Sequence, residues 1–452
     1  MSTNTMADQP ATPQQQDQHR SSTAWFVVIM LMCCVMINWA DKAVFGLIAQ
    51  PIAKELGLSA SDLGFMSSAF FFLFTVTGLG VSLIADRIKI KWALLILVVI
   101  WSAVQMPLVF MASAGVLLAT RIGLGAAEGP AGGLTQAAAF QWFPKEKRAL
   151  PSALLIAGTG LSKIVIAPFL AVLIVNHGWR SAIVALAVIG GVWCVLWFFI
   201  GKQGPFSTAG VPRAEERAVG DADAAPGASG SAADDLRVPM WAILRTRTVL
   251  AAVVGAFALN AMATVVLTWL PSYFEVGLGF TRVQAGTLFG LPSLVAIAAG
   301  VLGGWLTDRL LSRGGSSRVL RSLVAATGLG VGGVLLVLLP YVDGKWAPVT
   351  LLVFGYGLAS LATPLLFASV SHVAPGARQA SVLTMFTALY STAGVIAPWL
   401  TGVIVDAVGS AGRGYAVAFQ LVGVTILLGG ALVALIADPE RDAKKIEELA
   451  RR

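Results

Sequence analysis

Long apolar runs separated by short polar stretches recur along almost the whole chain. They fall at approximately 24–49, 61–85, 92–111, 115–140, 149–175, 180–201, 249–274, 284–311, 319–340, 347–372, 380–404 and 414–437. Roughly twenty consecutive apolar residues make one transmembrane helix, so the pattern predicts an all-α integral membrane protein with twelve membrane-spanning helices. The polar remainder divides it further. Residues 1–23, rich in Gln, Ser and Thr, are expected to be a disordered tail. The apolar run that begins at Trp25 is too long for a cleavable signal peptide. Residues 202–248 hold a Gly, Ala, Ser, Asp and Pro mixture with no apolar period, which predicts a linker between 24–201 and 249–437. Residues 438–452 form a second tail.

The two six-helix halves are related to each other. GVSLIADRIKIK at 80–91 corresponds to GGWLTDRLLSR at 303–313. Pro144-Lys-Glu-Lys-Arg148 leads to Val165-Ile-Ala-Pro168-Phe-Leu170, as Pro375-Gly-Ala-Arg378 leads to Val395-Ile-Ala-Pro398-Trp-Leu400. Two landmarks at nearly equal offsets indicate a parallel duplication and two pseudo-symmetric six-helix bundles, the plan of carriers whose substrate site lies between repeats.

Composition strengthens this picture. Hydrophobic residues make up 57% of the 452 and charged residues only 12%, about half the charged share of soluble domains. The net charge of +8 would in a soluble protein raise the question of a nucleic-acid partner. Here the basic residues cluster in alternate loops, at Arg87/Lys89/Lys91, Lys145/Lys147/Arg148, Arg309/Arg313/Arg318/Arg321 and Arg378. By the positive-inside rule those loops and both termini are cytoplasmic. The basic balance therefore reports topology, and the expected surroundings are a lipid bilayer, with no nucleic acid. Cys33, Cys34 and Cys194 lie inside apolar runs, and His19, His177 and His372 are far apart, so no disulfide framework, metal site or cofactor is expected. An enzyme would need a nucleophile or metal constellation, and none is arranged.

The candidate chemistry lies in the ionisable residues inside apolar runs, each of which costs about 2.5–3.5 kcal/mol at mid-membrane on insertion scales and must face a partner or a cavity. Five stand out: Asp41, Lys42, Arg121, Glu128 and Lys163, all in the first half. Arg121 and Glu128 are seven residues apart and so share a helix face at different depths. Asp41 and Lys42 are adjacent and point about 100° apart. An interhelical ion pair would explain any of these residues. So would a site in which cations take an anion and carboxylates carry protons. Lys163, deep in the fifth span, fits either a pairing with Asp41 or Glu128 or a further cation for substrate.

Several stretches resemble the major facilitator superfamily. Its loop signature appears twice, as Ala85-Asp86-Arg87 and Thr307-Asp308-Arg309, with Ser82 where the family usually has Gly. Within that superfamily the chain resembles the anion:cation symporters, which include galactonate, hexuronate, tartrate and phthalate carriers and vesicular glutamate and sialic acid transporters. The match rests on Ile37-Asn-Trp-Ala-Asp41-Lys42, Arg121-Ile-Gly-Leu-Gly-Ala-Ala-Glu128-Gly-Pro130, Trp142-Phe-Pro144 and Trp269-Leu-Pro271-Ser-Tyr273. The resemblance implies proton-coupled symport of an organic anion by rocker-switch alternating access. It gives Asp41 and Glu128 the proton, and Lys42 and Arg121 the substrate carboxylate. Asp86, Arg87, Asp308 and Arg309 become gating residues. Lys42 replaces the family's usual Arg and cannot form its bidentate fork.

Phe74, Thr159, Phe367 and Thr387 fall where sugar-acid carriers have Tyr, Gln, Trp and Asn. These four replacements offer fewer donors and acceptors, which favours an aromatic or short-chain carboxylate over a polyhydroxylated sugar acid. Asn260, Tyr273, Ser391 and Trp399 are further lining candidates. A sugar-acid symporter and an anion exchanger on the same fold are the alternatives. A cation exporter would want net acid, whereas the five charges sum to +1, and a non-transporting sensor stays open. A monomer in a bacterial inner membrane is the expected setting.

Overall fold

The computed structural model describes residues 13–82, 89–143, 149–204, 238–311, 318–375 and 379–450, and among them every regular element is helical. Lipid offers backbone groups no hydrogen-bonding partner, so apolar runs of this length must satisfy their own. Eleven helical stretches among the described residues are long and apolar enough to cross a membrane. In chain order the first three are Thr23–Leu56, Ala60–Val81 and Ile90–Phe110, and the fifth and sixth are Leu150–His177 and Trp179–Ile200. The seventh to twelfth are Arg247–Gly277, Arg282–Gly303, Arg321–Tyr341, Trp346–Val373, Val382–Val408 and Ala411–Ile436. Outward-facing side chains such as Phe199, 72% exposed, and Leu435, 75% exposed, give these helices an apolar perimeter suited to lipid.

The fourth expected span, which carries Arg121 and Glu128, is not among these eleven. It is built from Ala114–Glu128 and Ala131–Phe140, interrupted at Gly129-Pro130. Pro130 has no N–H and its ring crowds the carbonyl one turn earlier. The break falls immediately after Glu128, at Gly129, where a methyl group would meet the Phe74 carbonyl of the second span. A related distortion marks the fifth span, where Ser162–Ile166 form a widened π turn just before Pro168.

Spans one to six pack mainly on one another, as do seven to twelve, and the halves meet where the first span touches the seventh, the second the eleventh and the fifth the eighth. These contacts concentrate at one end of the bundle. A methyl group at Gly64 would meet the Pro398 carbonyl and one at Gly402 the Ala60 carbonyl, so the second and eleventh spans cross there backbone to backbone. The Asp406 carboxylate at the end of the eleventh span accepts the Ala60 and Ser61 backbone N–H groups at 3.1 and 2.7 Å, and the Ser61 hydroxyl as well. One half thus caps a helix N-terminus of the other. Deeper in, the Ser67 and Thr268 hydroxyls are hydrogen bonded at 2.7 Å. The opposite end holds a cavity of about 430 Å³ between the second, fourth and eleventh spans.

Three boundaries depart from the sequence expectation. The first helix begins at Pro13 and so includes 13–23 of the segment expected to be a tail. Proline suits a first helical turn, and Gln-rich sequence extends a helix already nucleated by the apolar run. The linker assigned to 202–248 ends in a short helix, Met240–Leu244, and the seventh span's helix starts at Arg247. The segment 438–452 contains the helix Pro439–Ala450. Its Pro439, Asp442 and Ile446 fall on one buried face. Asp442 accepts the Thr248 N–H and hydroxyl at 2.8 and 2.7 Å, which fixes the segment to the start of the seventh span.

Candidate functional site

All five ionisable residues singled out within the apolar runs are buried, none more than 5% exposed. The first span presents Asp41 and Lys42 to different neighbours, as their adjacency requires. Lys42 Nζ reaches the fourth span, donating to Glu128 Oε2 at 2.6 Å. Its other contacts are Asn38, one turn earlier, through Oδ1 at 2.6 Å and the carbonyl at 3.1 Å. The rings of Trp39, Phe70 and Phe74 surround it, Phe74 nearest at 4.9 Å. Glu128 Oε1 has no hydrogen-bond partner. The carboxylate is thus held by one oxygen at the last residue before the helix break.

Asp41 turns to the third span and accepts from Gln105 Nε2 at 2.8 Å. Gln105 sits at the junction of Ile90–Val104 with the proline-started turn Met106–Phe110. Arg121 does not pair with Glu128, its neighbour two turns on. Its guanidinium lies 4.2 Å from the Phe45 ring centre and 4.6 Å from that of Phe70, and its Nε has no hydrogen bond. Phe70 therefore lies between two cations, Arg121 and Lys42. Lys163 pairs with neither acid. Its ammonium stands 5.3 Å from the Trp39 ring centre and 5.7 Å from that of Tyr356 on the tenth span, across the seam between the halves. Contacts with ring faces are worth about 0.5–2 kcal/mol, less than the insertion cost of a mid-membrane charge. Arg121 and Lys163 are therefore cations only partly compensated by their surroundings.

The remaining candidates divide between two cavities. Phe74 and Thr387 line the 430 Å³ cavity together with Ser391, and Phe74 forms its boundary with Lys42. Phe367 lines a cavity of about 160 Å³ within the last six spans, beside Asn260, Tyr356, Ser360, Thr363 and Tyr390. Thr159 borders neither cavity and returns its hydroxyl to the Ile156 carbonyl at 2.8 Å. Tyr273 is packed against Tyr415 and Phe419 at the closed end, and Trp399 faces a groove on the bundle flank. Asp86 and Arg87 lie outside the described residues, as does the side chain of Asp308, and Arg309 is exposed. Asn38 and Gln105 are the two partners that sequence reasoning missed. Their signal was an amide inside an apolar run, a weaker one than a charge. No group of His, Cys, Asp and Glu that could hold a metal ion occurs among the described residues.

Chemically, the arrangement offers a carboxylate already seated on one cation, two further cations without a carboxylate, and a second buried carboxylate held by an amide.

Comparison with known proteins gives three independent likenesses. A family model described as Major Facilitator Superfamily matches residues 31–360. A hexuronate transporter of Bacillus subtilis strain 168 is 28% identical over 403 residues, covering 88% of this chain and 90% of that protein. A probable galactarate/D-glucarate transporter of the same organism is 26% identical over 405 residues, covering 86% and 88%. Among solved structures, a bacterial homologue of the human lysosomal transporter Spinster, inward-facing and unoccupied, superposes with a TM-score of 0.77. It is 15% identical, over 94% of this chain and 98% of that one.

Proposed function

The chain belongs to the major facilitator superfamily, a family of transporters, and we propose that it carries an organic anion across the membrane together with protons. The observation that carries this reading is the Lys42–Glu128 pair at 2.6 Å, in which a protein carboxylate occupies the place an anionic substrate needs. While Glu128 is ionised it holds the ammonium. Once protonated it releases Lys42 to the substrate carboxylate, so proton and anion arrive together. Arg121, without a carboxylate of its own, adds attraction for the anion. Asp41, on a separate partner, takes the second proton role. Alternating access then needs the Asp406-capped end to open as the cavity at the opposite end closes. The basic loops at the cavity end support a cytoplasmic side there, with both termini on it, and the Bacillus subtilis relatives support the membrane of a bacterial cell.

The large cavity is lined chiefly by apolar groups, Phe74, Leu79, Val81 and Leu383 among them, which supports an aromatic or short-chain carboxylate. A sugar acid is the second reading. Asn260, Tyr356, Ser360, Thr363 and Tyr390 give the smaller cavity hydrogen-bonding groups, and the relatives' names point the same way.

The test is uptake into proteoliposomes under an imposed pH gradient, using a panel of labelled aromatic, short-chain and sugar acids. Glu128→Gln should abolish proton-driven accumulation and spare counterflow exchange. Undiminished accumulation in that variant would sink the coupling assignment, and pH-independent exchange by the native protein would make it an exchanger.

A further inference from the structure

We propose that the substrate is a dianion, one acidic group displacing Glu128 from Lys42 and the other docking on Lys163. This inference rests on the anion-symport reading above and deepens it.

Lys163 is the fourteenth of the 28 residues of the fifth span, too far from either end for its stem to carry the ammonium to an aqueous interface. It is 4% exposed. No ion pair or hydrogen bond to its side chain occurs among the described residues, and the two buried carboxylates of this half are held elsewhere, Glu128 by Lys42 and Asp41 by Gln105. A buried charge left in this condition is maintained only if something else supplies the counter-charge.

The fold does not require the charge. In the internal repeat, Val165–Leu170 corresponds to Val395–Leu400, which places Ala393 at the position equivalent to Lys163. Ala393 is fully buried in its half with no polar group at all. The turn that holds Lys163 is nonetheless fixed: it is widened at Ser162–Ile166, and the Ser162 hydroxyl donates to the Met36 carbonyl at 2.8 Å, tying it to the first span.

Geometry then selects the ligand. Lys42 and Lys163 stand 5.6 and 5.3 Å from the centre of the same Trp39 ring, so the two ends of one short molecule can reach both. The Lys163 end faces Tyr356, which also lines the 160 Å³ cavity of the last six spans. A dianion would therefore lie along the first half with its hydrocarbon body on Trp39 and its Lys163 end at the seam. A monoanion seated on Lys42 would leave Lys163 as it stands now.

The experiment measures binding to the full-length protein in nanodiscs by ligand-induced thermal shift, with acids offered as matched pairs: succinate and butyrate, phthalate and benzoate, galactarate and galactonate. In the native protein at least one dianion should bind about tenfold or more tightly than its monoanion partner. Lys163→Gln should bring that ratio to about one and change monoanion binding by less than about threefold, while Lys163→Arg should keep it. A ratio of one or below in the native protein, or an unchanged ratio in Lys163→Gln, overturns the proposal. Should Lys163→Gln not fold, the native ratio and Lys163→Met decide it. Failure of all six acids to bind overturns the anion reading itself, whereas monoanions binding as well as dianions overturns this inference alone.

Discussion

Arg121 is buried at the faces of Phe45 and Phe70 with no carboxylate of its own. If it supplies attraction to the substrate, Arg121→Ala should weaken anion binding by at least about a hundredfold in a thermal-shift titration, the scale of removing one partner of a buried charge pair. Retained affinity would make Arg121 a structural cation. At this scale the sequence was informative wherever a residue was charged, because an apolar run tolerates a charge only with compensation. Asp41, Lys42, Arg121, Glu128 and Lys163 stood out for that reason, and all five are buried. Their pairing was not legible. Arg121 and Glu128 share a face yet make separate contacts, and Lys42 reaches an acid 86 positions away. Asn38 and Gln105 escaped notice because a neutral amide inside an apolar helix leaves only a slight trace in hydropathy.

Helices follow the apolar runs closely, and their interruptions follow proline less faithfully. Pro130 breaks the fourth span, whereas Pro271 and Pro398 remain inside helices. The helix Pro439–Ala450 was hidden, since its charged composition reads as tail until the spacing of Pro439, Asp442 and Ile446 is matched to a partner surface. Asp442 anchors it through two bonds to Thr248. Asp442→Ala should therefore remove about 1–2 kcal/mol, seen as a Tm lower by a few degrees in detergent, with binding unchanged. An unaltered Tm would show that the apolar face alone holds the helix.

For the whole molecule, twelve spans and two related halves could be read from periodicity and repetition, but the end at which the halves meet could not. The alternating access proposed above would use one sequence for more than one arrangement of the halves, so that sequence would encode both and select neither. Asp406 marks the closed end by capping the second span's helix from the other half. A Ser61→Cys/Asp406→Cys pair should therefore form a disulfide under mild oxidation and stop transport, with activity returning on reduction. Full transport by the oxidised, cross-linked protein would mean that this end never has to open.

That the five buried charges within the apolar runs all belong to spans one to six has a consequence for how the machine can vary. In the mechanism proposed above, the proton carriers and the anion-binding cations ride on the same six helices, so their mutual distances survive any rocking of the halves. The number of protons moved per anion is then a property of one rigid unit. Changes in the other six helices can alter speed, or which molecules fit, and leave that ratio untouched.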